Sequence, residues 1–264
     1  NQFKLMPIVS ADLKEYKSSN ANSDGGAISA TEVVDNTDNN LFTDITGDEA
    51  SAGGTEYRKV FRKNNHGSLS WQNVVSWLQS QPTNSALSFG FGVDHADDAD
   101  GAQGNMSAFS ANAVVAVVSD GADTRQVTIV GEDASGNRQT ETLTLNGTTE
   151  VVGSLTFSKL YGAYVNSLSG SRSVTIRQGS GGTSRGTIGI NKKVSFIWYG
   201  KRYSGGSLVN AEGGDMASKV AGLKHGDIAS AGNFGLWYRL TWPAGAGAVT
   251  ATTTQVKSEG DTAA

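Results

Sequence analysis

The sequence predicts an all-β protein, with β-sandwich or jelly-roll-like modules preceded by an extended N-terminal arm. Three observations carry that expectation. The 264 residues include 34 glycines among abundant serine, threonine and asparagine, which suits many turns joining short strands. Only 17% of residues are charged, too few for long solvent-facing helices. Apolar residues recur at period two rather than at helical spacing.

Residues 1–27 read as an extended arm. Phe3, Leu5 and Ile8 are apolar anchors for a neighbouring subunit, and residues 18–26 are a Ser/Asn/Gly-rich stretch of turn-forming character. Residues 28–105 follow as an N-terminal β module. Within it, residues 57–63 pass through Asn64-Asn65-His66-Gly67 into Leu69, Trp71, Val75 and Trp77, the pattern of a hairpin with an apolar inner face. The acidic stretch 94–105, containing Asp94, Asp97, Asp98 and Asp100, marks the boundary between modules.

Residues 106–264 are expected to form a C-terminal β-sandwich. Strands are predicted at 114–118 and 127–130. The second turns at 132–137 and returns through 140–145 as a hairpin. Further short strands are expected at 156–165, 174–177 and 194–199, separated by Ser/Gly segments such as 179–184. Only residues 215–223 have helical character, and Gly222 stops it within two turns. An internal echo also stands out: Gly47-Asp48-Glu49-Ala50-Ser51-Ala52-Gly53 returns as Gly226-Asp227-Ile228-Ala229-Ser230-Ala231-Gly232. Each copy precedes an aromatic strand, with Tyr57-Arg58 after the first and Tyr238-Arg239 after the second, as a duplicated β unit would.

Composition narrows function. A formal net charge of −4 with scattered Lys and Arg argues against a nucleic-acid surface, and no run of 18 apolar residues suggests a membrane span. Cysteine is absent and the histidines are His66, His95 and His225, each read as a solvated turn residue, so bases for hydrolysis are scarce. The acidic loop invites a calcium reading but places Ala96 and Ser107 where an EF-hand needs its first and last ligands. The glycine-rich 179–186 lacks the Gly-Lys-Ser/Thr ending of a phosphate loop. No carboxylate stands in an aromatic sugar-platform context. The residues therefore name no catalytic, metal-binding or cofactor-binding site, and a non-enzymatic role is expected.

The runs Asp38-Asn39-Asn40-Leu41-Phe42-Thr43-Asp44-Ile45-Thr46-Gly47-Asp48-Glu49-Ala50 and Gly53-Gly54-Thr55-Glu56-Tyr57-Arg58-Lys59-Val60-Phe61-Arg62-Lys63-Asn64 resemble virion structural proteins of tailed bacteriophages over residues 28–80. Residues 127–149 and 237–246 are similar to β modules and strands of phage capsid and tail proteins. The resemblance implies assembly: a capsid decoration or cement protein, homo-oligomeric and bound to the major capsid protein or other virion subunits. A neck, tail-tube or baseplate subunit and a receptor- or glycan-binding virion module are the alternatives. It also implies a virion location after assembly in the host cytoplasm, with no direct contact to nucleic acid or membrane.

Overall fold

The computed structural model describes residues 7–20, 25–34, 37–94, 102–204, 207–250 and 252–262. After a 3-10 turn at Ser10–Asp12 come β1 (Leu13–Asn20), β2 (Gly25–Glu32), the short helix α1 (Gly47–Ala52), β3 (Gly54–Asn64), β4 (Trp71–Ser80) and β5 (Ser88–Asp94). The middle of the chain supplies β6 (Ala102–Met106), β7 (Ala113–Ser119), β8 (Gln126–Glu132), β9 (Arg138–Thr144), β10 (Val151–Phe157), β11 (Lys159–Val165), β12 (Val174–Gln178), β13 (Thr183–Ile188) and β14 (Val194–Ile197). The last part adds β15 (Tyr199–Ser204), β16 (Ser207–Asn210), β17 (Leu223–Ile228), β18 (Asn233–Trp242) and β19 (Gln255–Thr262). The protein is all-β and sandwich-like, as its composition predicts.

Among the described residues, four sheets divide the strands. The largest runs β16-β15-β5-β18-β3-β1-β2, and a three-stranded sheet runs β17-β4-β19. Both take strands from before residue 94 and after residue 199. Between these segments lie a four-stranded sheet, β10-β7-β12-β13, and a five-stranded sheet, β6-β14-β11-β8-β9, built wholly from residues 102–197. The middle of the chain is thus a sandwich inserted into an outer β body. The expected unit 106–264 is not one unit, because β15 and β18 return to pair with β5. The second junction falls at Trp198, between β14 and β15, where no loop-like composition announces it.

The alternation of side chains explains why the layers adhere. On the large sheet Val60, Phe89, Phe91, Val93, Leu236 and Leu240 face inward and are buried. They share one core with Val115, Val117, Ile129, Ile176 and Leu160 of the sandwich. Burying each such side chain contributes roughly 1.5–3 kcal/mol.

Several local expectations change. Residues 13–20 are not part of an arm: Leu13 to Lys17 pair with Asn64 to Val60 of β3, and β2 adds to the other side of β1. The first six residues of the expected arm lie outside the described residues. Residues 57–77 do not form a hairpin. β3 pairs with β1 and β18, whereas β4 lies between β17 and β19. Asn64 turns this corner, its buried Nδ2 donating to the carbonyls of Leu69 (2.8 Å), Ile228 (3.1 Å) and Ala229 (3.2 Å). The single strands expected at 156–165 and 194–199 are each two strands, parted at Ser158 and Trp198 so that the chain changes sheets. Residues 215–223, expected to have brief helical character, are a connecting run of bends and turns leading into β17. The hairpin at 127–145 is present as β8 and β9, with Val127 opposite Leu143 and Ile129 opposite Glu141.

The echo is one sequence in two structures. In the first copy Thr46 and Glu49 form a capping box: Thr46 N donates to Glu49 Oε2 (2.8 Å) and Glu49 N to Thr46 Oγ1 (3.3 Å). Gly53, at φ 73°, closes α1 with its N–H on Glu49 O (2.9 Å). The second copy has His225 and Ile228 at the two box positions, so it stays extended through β17 and turns at 229–232. A duplicated unit is therefore absent at these turns. The strands that follow are nonetheless direct neighbours: β3 and β18 pair antiparallel, with Tyr57 opposite Arg239 and Arg58 opposite Tyr238.

Candidate functional site

The face of the large sheet opposite Val60 and Leu236 carries an aromatic and arginine cluster that is buried except at Tyr57 and part of Arg239. Period-two alternation puts Tyr57, Lys59 and Phe61 of β3 on this face, beside Trp237 and Arg239 of β18 and Gly90 and Gly92 of β5. The β5 glycines make room. A Cβ at Gly92 would lie 2.3 Å from the Phe196 ring, and one at Gly90 would lie 3.4 Å from Arg239 Nη2. Phe196 and the guanidinium therefore rest directly on the backbone of β5.

From there the rings form a continuous stack. Phe196 lies parallel to Trp237 at 6.3 Å and edge-on to Trp198 at 4.9 Å. Trp198 meets Tyr57 at 5.8 Å on one side, and the Arg239 guanidinium lies 4.7 Å from its ring centroid. The Trp198 indole abuts Gly104, where a Cβ would clash at 1.8 Å. Phe196, Trp198 and Trp237 are buried, while Tyr57 keeps 45% of its surface exposed at the end of the stack. Arg239 Nη2 is buried without a hydrogen bond among the described residues. Burial lowers the Arg239 pKa, opposed by the Glu212 carboxylate, which itself pairs with Arg202 at 3.0 Å. The site combines a fixed arginine, a presented tyrosine and a rigid aromatic floor, the residue types that dominate protein interfaces.

The histidines are placed differently from expectation. His225 is buried in β17, not solvated at a turn; its Nε2 lies 2.9 Å from Ser76 Oγ and its ring stacks on Phe234 at 3.9 Å. Ser76 Oγ in turn bonds Ser258 Oγ, so the three side chains tie together all three strands of the small sheet. The Ser76–His225 pair has the spacing of a nucleophile and base, but Ser76 is fully buried and its hydroxyl is shared with Ser258. His66 organises the corner after β3, its Nδ1 accepting from Ser68 N (3.2 Å) and Leu69 N (3.0 Å). His95 and most of the acidic loop 94–105 lie outside the described residues. Among the described residues no group of three or more His, Asp or Glu side chains is arranged to hold a metal.

Two further clusters hold carboxylates in place. The glycine-rich turn after β12 wraps a carboxylate of its own chain: Glu150 Oε2 accepts from Gly181 N (2.8 Å) and Ser180 Oγ (2.9 Å). These bonds, led by the one from Gly181, hold the Glu150 pKa below the ordinary carboxylate value. Buried Tyr161 donates to Glu132 and accepts from Lys224 N (3.1 Å), while Lys224 Nζ donates to Gly136 O. Burial, then Glu132, pushes the Tyr161 hydroxyl pKa upward. The effect is to bolt the β8–β9 hairpin and β11 to β17 of the outer body. Sequence spacing carried no sign of this network, because its members lie on three separated segments. No family model matches the chain, and neither curated proteins nor solved structures yield a match.

Proposed function

We propose that the chain is a structural subunit of a tailed-phage virion, a decoration or cement protein that binds the major capsid protein through the face of its large sheet that carries Tyr57 and Arg239. The observation that carries this reading is the Tyr57–Trp198–Arg239 cluster. Tyr57 and Arg239 lie opposite each other on β3 and β18, paired strands at the centre of that sheet, and Trp198, from the link between β14 and β15, packs against both. A pre-ordered aromatic and arginine patch loses little side-chain entropy on docking, which favours affinity per unit of buried area. Groups that resemble chemical machinery, such as Ser76 with His225 and Tyr161 with Glu132, are spent on joining sheets.

A ring-forming tail subunit is the second reading. It is favoured by the outer strands β2 and β16, each paired on one side only among the described residues and thus able to extend the sheet from copy to copy. Gold-labelled antibody against the chain, applied to purified virions of the encoding phage, separates the two. Label over the head is expected, label on the tail favours the ring, and virions without label refute both.

A further inference from the structure

We propose that the loops at one end of the inserted sandwich form a binding site for a neutral saccharide. Residues 122–125, 167–169, 171 and 172 line an open groove of about 470 Å³, within the size of small-ligand sites, roughly 300–1,000 Å³.

The floor is rigid. Arg125 Nε donates to Asp123 Oδ1 (3.0 Å), Nη2 to Asp123 Oδ2 (2.7 Å) and Nη1 to the carbonyl of Ser167 (3.1 Å). Asp123 also accepts from Ser119 Oγ at 3.1 Å. One part-buried ion pair thereby ties the two loops together.

The wall is Arg172. Its guanidinium lies flat over Gly121, where a Cβ would stand 2.4 Å from Arg172 Cζ. No described residue forms a hydrogen bond or ion pair with this guanidinium, so its planar set of donors is left to the groove and to solvent. The hydroxyls of Thr124 and Ser171 add donors and acceptors on the rim, and half-exposed Leu168 supplies an apolar lip.

Charge selects the ligand. Arg125 is cancelled by Asp123. Arg172 is balanced by the neighbouring Asp120, whose carboxylate accepts from Ser173 N (3.2 Å) and Ser173 Oγ (2.8 Å). A site without net charge does not reward an ionic ligand, whereas exposed planar donors, hydroxyls and one apolar surface match the hydroxyls and C–H face of an uncharged sugar.

The test is saturation-transfer NMR on the full chain with panels of neutral and acidic oligosaccharides. We expect binding of neutral members, weakened at least about tenfold by Arg172→Ala and also by Gly121→Ala, which displaces the guanidinium while leaving it in the chain. Val220→Ser, at a fully exposed turn outside this site, is expected to bind like the parent. Circular dichroism identifies folded variants, and Arg172→Ala decides alone if Gly121→Ala does not fold. No binding of neutral sugars, binding confined to acidic ones, or undiminished binding by Arg172→Ala overturns the proposal.

Discussion

Single residues hold the corners of this fold, and their chemistry makes measurable claims. Asn64 gathers the carbonyls of Leu69, Ile228 and Ala229 on one buried amide nitrogen. Replacing it by alanine strands those acceptors, and Asn64→Ala is expected to lower unfolding free energy by about 2–3 kcal/mol in urea titrations. Thr46→Ala, which removes the α1 cap, is expected to cost only about 1 kcal/mol in the same measurement. Asp123 titrates with a definite sign. Its hydrogen bonds from Arg125 hold its folded pKa below the ordinary 3.8, so its contribution to stability is complete above that value and fades as pH falls through the folded pKa. The parent is therefore expected to lose more stability on acidification below about pH 4 than Asp123→Asn, which carries no carboxylate there.

At the scale of elements, strands were legible where they alternate or end in recognisable turn chemistry. The hairpin of β8 and β9 was readable because Asp133 caps its turn, accepting from the backbones of Ser135 and Asn137 at 2.8 Å each. The polar strand β1 was not, since Ser18 is its one buried residue and its order comes from pairing with β3. The partners of β3 and β4 were equally hidden, because a period-two pattern states which face is buried and not which strand lies alongside. The candidate site was half legible. Tyr57 and residues 237–242 stood out as aromatic, but the role of Gly90, Gly92 and Trp198 appears only when the inserted sandwich brings Phe196 down onto β5. Gly92→Ala tests that junction: the added methyl meets the Phe196 ring at 2.3 Å, and a loss of roughly 1–3 kcal/mol is expected in thermal unfolding.

Across the whole molecule, the inserted sandwich and the outer body share one apolar core and are bolted by Tyr161, Glu132 and Lys224. Scanning calorimetry is therefore expected to give one cooperative transition rather than two. That rigidity is what an assembly subunit needs if its outer sheet is to present Tyr57 and Arg239 in fixed register to a neighbour. The most direct measurement of this claim is the copy number of the chain per purified virion, by quantitative mass spectrometry, for the parent and for the folded double variant Tyr57→Ala, Arg239→Ala. Parent chain is expected at stoichiometric level, with loss of at least nine-tenths of it in the variant, about tenfold for interface anchors of this kind. Equal copy numbers in the two virions, or absence of the parent chain from them, would contradict it.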